Sequence, residues 1–76
     1  MEVRTLAQLR RERLLSLRDL AGRAGVDPKT AHQVERGKRT PRPRTMRKLA
    51  EALGVEPARV REFRAAMGLP VEEERS

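Results

Sequence analysis

The sequence has no cysteine, tryptophan or tyrosine, and only one aromatic residue, Phe63, and one histidine, His32. Without cysteine, disulfide staples and thiolate metal sites are excluded, and one histidine is too few for a multi-ligand zinc site. No run approaches the roughly 20 apolar residues of a membrane span, and Met1 to Arg10 lacks an apolar signal core, so a cytoplasmic location is expected. No nucleophile–base pair or metal cluster is present, so neither an enzyme nor a cofactor is expected. The 76 residues, 37% of them apolar, suffice for one small domain with a modest aliphatic core.

Positive charge is what the chain has in excess. The formal net charge is +7, and it divides as +3 over residues 1–26, +6 over 27–48, zero over 49–68 and −2 over 69–76. Arginine outnumbers lysine 15 to 3, as base composition or heat adaptation would also produce, but a merely solvated surface would spread that excess evenly. Concentrated in residues 27–48, it points to a polyanionic partner.

Strand alternation appears nowhere, and the apolar spacing predicts five helices. The first runs from Leu6 to Arg13. Ser16 then stands as N-cap, with Asp19 as the first-turn acid, before a second helix from Leu17 to Ala24. Gly25 closes that helix, and Asp27-Pro28 opens a third as N-cap and first residue, extending to about Arg36 before Gly37. A proline- and cation-rich loop, Lys38 to Pro43, follows. The fourth helix starts at Pro43, carries Met46, Leu49, Ala50 and Leu53 on one face and ends at Gly54. The fifth spans Pro57 to Met67, burying Val60 and Phe63, with Met67 as a further core candidate. Residues 1–68 thus form one domain, and Leu69 to Ser76, with three consecutive glutamates, is expected to be a flexible acidic tail.

Between Leu15 and Val34, two short helices meet at one tight turn, with Leu20, Ala21, Ala24, Val26, Ala31 and Val34 inward and Lys29, His32 and Gln33 outward. A second helix projecting in this way fits a DNA major groove.

The pattern Leu20-Ala21, Gly25-Val26, Thr30-Ala31, Glu35-x-Gly37 with Pro41, then Leu49-Ala50-x-Ala52-Leu53-Gly54-Val55, resembles the Cro/C1-type helix-turn-helix proteins, the XRE family, over about residues 6–66. The resemblance implies an all-α, five-helix λ-repressor-like DNA-binding domain. It further implies a partly buried ion pair between Arg10 and Glu35 and base reading from the start of the third helix by Pro28, Lys29, Thr30, His32 and Gln33. Lys29 is suited to guanine O6 or N7, Gln33 to adenine N6/N7, and Pro28 or Thr30 to a thymine methyl. Phosphate contacts fall to Lys38, Arg39, Arg42 and Arg44, with Arg18 in a lesser role and the free N–H groups of helices 2 and 4 adding their dipoles.

Five positions depart from the family pattern, among them Gly22, inside the second helix at a cost of about 1 kcal/mol against alanine, and Ala31, in place of a larger aliphatic. Leu14 stands where glycine is usual, Leu17 replaces a polar residue that often touches phosphate, and Arg42 takes an N-cap position where serine is common. The functional expectation is a sequence-specific regulator of transcription, a repressor, on pseudo-palindromic double-stranded DNA. It would bind as a homodimer, formed on DNA if not before, with self-contact through Val55, Val60, Phe63, Met67 or Leu69. Two alternatives stay open: an antitoxin-like protein whose Val60–Ser76 segment binds a toxin, and a protein-interaction adaptor that has lost DNA binding.

Overall fold

The computed structural model describes residues 2–70 and contains five α-helices: α1 (Leu6–Glu12), α2 (Leu17–Ala24), α3 (Pro28–Glu35), α4 (Pro43–Leu53) and α5 (Arg61–Ala66). Helix α2 packs on both α3 and α4, and the core gathers Leu6, Leu9, Leu20, Val34, Leu49, Leu53, Val60 and Phe63 beneath them. At 76 residues, such a domain has a net stability of only about 4–11 kcal/mol, so single caps and ion pairs matter. No helix among the described residues is long and apolar enough to cross a membrane.

Each start has a local cause. Thr5 caps α1, accepting from the N–H of Gln8 while the Gln8 side chain accepts from the N–H of Thr5, a reciprocal box that the sequence reading passed over. Glu62 of α5 adds a tertiary cap, its Oε1 accepting from the N–H of Leu6 at 2.9 Å. Ser16 and Asp19 form the expected box on α2, and Leu15, half-buried ahead of the cap, packs on the same core as Leu20. That is the hydrophobic staple that fixes the entry of a chain into a helix.

The turn between α1 and α2 is strained where the sequence departs from glycine. Leu14 has φ +56°, the only positive value at a non-glycine residue among those described, and its side chain is 92% exposed. The geometry is imposed by bonds on either side: the N–H groups of Leu14 and Leu15 return to the carbonyls of Arg11 and Arg10. That pairing requires a left-handed residue at position 14.

The predicted fifth helix is corrected. Pro57–Arg59 forms a 3₁₀ turn, Val60 is extended, and α-helix begins only at Arg61. The cause is the N-terminal strap. Arg4 donates its N–H to the Arg59 carbonyl and accepts from the N–H of Arg61, an isolated parallel bridge that holds β-branched Val60 out of the helix and points it into the core. Met67, a core candidate in the sequence, is 40% exposed; Val60 and Phe63, candidates for self-contact, are fully buried and complete the core instead. Leu69 and Pro70 are tied to α5, through the Arg64 carbonyl and the Arg64 guanidinium respectively, while the glutamates of the expected acidic tail lie outside the described residues.

Candidate nucleic-acid interface

The helix-turn-helix is set by one left-handed glycine and one aspartate cap. Gly25, at φ +71°, lets its own N–H and that of Val26 return to Gly22 and Ala21, and Asp27 accepts from the N–H of Lys29 at 2.8 Å to start α3 with Pro28 in its first turn. Fully buried Ala21, Ala31 and Val34 seat α3 from behind. On the opposite side Pro28, Lys29 and His32 are exposed, whereas Thr30 and Gln33 are half-buried.

Beside this helix lies an open cleft of about 320 Å³, lined by Gly25, Val26, Asp27, Thr30, Arg39, Pro41, Arg42, Thr45 and Lys48. The cleft brings Thr30 together with three cations from the loop and α4. Lys38 and Arg44 are exposed nearby in the chain but do not line it, and Arg18 stands apart, exposed on α2. Lys48 and Thr45 were missed by sequence reasoning. The signal was available for the lysine: Arg44 and Lys48 are four residues apart, on the face of α4 opposite Met46, Leu49, Ala50 and Leu53.

The two helix N-termini expected to attract phosphate differ. The α2 terminus is closed, with the Ser16 hydroxyl bonded to the N–H of Asp19 and the Asp19 carboxylate accepting from the N–H of Ser16 at 3.2 Å. That backbone bond, with the Ser16 hydroxyl next, holds the Asp19 pKa below the ordinary carboxylate range and leaves negative charge where a phosphate would sit. At α4, Arg42 provides no side-chain cap, so the first-turn N–H groups stay free beside a cation.

Arg10 and Glu35 form the expected pair. Nε of Arg10 donates to Glu35 Oε2 at 2.8 Å and Nη2 to Oε1 at 3.1 Å, with side chains only 14% and 11% exposed. The Glu35 hydrogen bond pushes the Arg10 pKa up against the opposing effect of burial, and Nη1 also binds the Leu15 carbonyl. One side chain thus ties α1 and the strained turn to the C-terminal end of α3. Arg13 was not singled out in the sequence, yet it bonds the carbonyls of Leu9 and Leu53, joining the ends of α1 and α4. No group of three or more potential metal-ligating side chains occurs among the described residues.

Comparison with curated proteins and with solved structures gives no match. The helix-turn-helix family model matches residues 6–60, from the first residue of α1 to the extended Val60, and so takes in the caps, the turn, α3, the cationic loop and α4 just described. The chain belongs to the Cro/C1-type (XRE) family of helix-turn-helix DNA-binding regulators.

Proposed function

We propose that this protein is a sequence-specific regulator that binds double-stranded DNA through the major groove and represses transcription by occluding its site. The carrying observation is the cleft that places Arg39, Arg42 and Lys48 beside the exposed start of α3. Pro28, Lys29, Thr30, His32 and Gln33 form the face presented to base edges, with Lys29 and Gln33 its principal readers. Lys38, Arg42, Arg44 and Lys48, with Arg18 at the margin, hold phosphates, and the uncapped start of α4 adds its free N–H groups. Arg39 stands between the two sets, lining the cleft while bonded to Gln33. A single α3 reads only a few base pairs, so two copies on a pseudo-palindrome, with half-sites about 34 Å apart, complete the recognition. Met67 and Leu69, about 40% exposed at the end of α5, and half-buried Val55 are the apolar candidates left for that pairing.

Selection of bound sequences from a random duplex pool, followed by affinities over a salt series, tests this reading. A motif with two-fold symmetry is expected, with log Kd changing by about 0.9 per phosphate for each decade of salt. The paired substitution Arg42→Glu and Lys48→Glu should weaken binding at least about a hundredfold without unfolding the chain. Unchanged cellular function after that reversal would instead identify a protein-interaction adaptor.

A further inference from the structure

The end of α3 brings a cation back over one of the proposed reading residues. Gly37, at φ +73°, reverses the chain: its N–H bonds the Val34 carbonyl at 3.0 Å, and the N–H of Lys38 bonds the Gln33 carbonyl at 2.9 Å. The next residue, Arg39, is thereby returned beside Gln33, and its Nη1 donates to Gln33 Oε1 at 3.4 Å. Lys38, Arg42, Arg44 and Lys48 make no ion pair or side-chain hydrogen bond among the described residues, so Arg39 is set apart from the other cations of the loop and α4.

We infer that Arg39 is a specificity-determining residue, which turns the Gln33 amide from an adenine reader into a guanine reader. This inference rests on the DNA-binding reading above. A free glutamine amide offers one acceptor beside one donor, the complement of adenine N7 and N6–H. With a guanidinium on its oxygen, the amide keeps its two N–H donors and gains those of Arg39 next to them. At 3.4 Å the bond itself is long. The pair therefore works by holding positive charge and donors beside the amide oxygen, where an adenine N6–H or a cytosine N4–H would meet another donor. Guanine presents two acceptors, O6 and N7, to the same surface. Discrimination arises from repulsion of the wrong base as much as from attraction of the right one.

The test is selection from a random duplex pool with the full chain and three variants. The position read by Gln33 is the one whose preference disappears in Gln33→Ala. There the parent chain should select guanine, Arg39→Ala should shift to adenine by about tenfold with the rest of the motif unchanged, and Arg39→Lys should keep guanine. Adenine selected by the parent chain, or an Arg39→Ala that lowers affinity for every sequence equally, would overturn the inference and make Arg39 a phosphate contact. A parent chain that selects no motif at all would overturn the DNA-binding reading itself, a result distinct from either.

Discussion

On the side built from the N-terminal strap, α1 and the segment around α5, four arginines are engaged within the chain. Arg10 meets Glu35, Arg13 meets two helix-end carbonyls, Arg64 bonds the carbonyls of Ala58 and Pro70, and Arg4 reaches Glu2 and Glu12. On α3, its following loop and the first half of α4, by contrast, Lys29, Lys38, Arg42, Arg44 and Lys48 have no such partner among the described residues. The same residue types thus hold the fold together in one region and stand open to a ligand in the other. Net charge alone does not separate these uses; an acceptor within the chain does.

The sharpest way to break that contrast is through Glu35. Replacing it with alanine leaves Arg10 largely enclosed without its counter-charge, which should cost about 3 kcal/mol by chemical denaturation, a large share of this domain's stability. The double variant Arg10→Met with Glu35→Leu should recover much of that loss, because it removes both desolvated charges together. The salt slope of DNA binding should stay unchanged in both, since neither variant touches an open cation. A loss below about 0.5 kcal/mol in Glu35→Ala would mean that the pair behaves like a surface contact and that the two regions are alike.

Arg42 lies on the boundary between the two uses. It is the N-cap of α4 yet donates nothing to the fold, while lining the cleft. Arg42→Ser should raise stability by about 1 kcal/mol through a true cap on the free N–H groups. It should also weaken DNA binding several-fold and lower the salt slope by about 0.9. Opposite movements of stability and affinity from one substitution would fix the cation as a ligand contact; parallel movements would assign it to the fold.

Much of this arrangement was legible in local chemistry. Ser16, Gly25, Asp27 and Gly37 each specify a cap or a reversal from their own side chain or its absence, so α2 and α3 and the turn between them could be placed from sequence. The break at Val60 could not. It depends on Arg4, more than fifty residues away, pairing its backbone on either side of Val60, and helical periodicity carries no information about that contact. The cleft was half legible for the same reason: Arg39 and Arg42 stood out in a basic loop, but Lys48 joins them only once α4 is laid beside the turn. Leu14 was legible as a departure, and its strain follows from the bonds around it.

That strain supplies a smaller test within the side committed to the fold. Leu14 is left-handed and 92% exposed, so Leu14→Gly removes steric strain and no buried surface. Relief of about 1–2 kcal/mol is partly offset by the greater freedom of glycine in the unfolded chain, leaving a gain of about 0.5–1 kcal/mol. A rise in Tm with unchanged DNA affinity is expected. A drop in affinity would place this turn on the ligand side of the molecule.

The smallest effect should come from acid, and its direction is set by the α2 cap. Asp19 is exposed, and the Ser16 N–H holds its folded pKa below the ordinary aspartate value, so the folded state binds this proton less readily than the unfolded chain. The stabilisation is therefore complete above the unfolded aspartate pKa and disappears as pH falls through the lower, folded one. Asp19→Asn should flatten this part of the pH–stability curve and leave the neutral-pH fold in place. At neutral pH the same substitution removes the negative charge from the start of α2, so it should slightly strengthen DNA binding if phosphate passes near that terminus and leave affinity unchanged if only α4 meets the backbone.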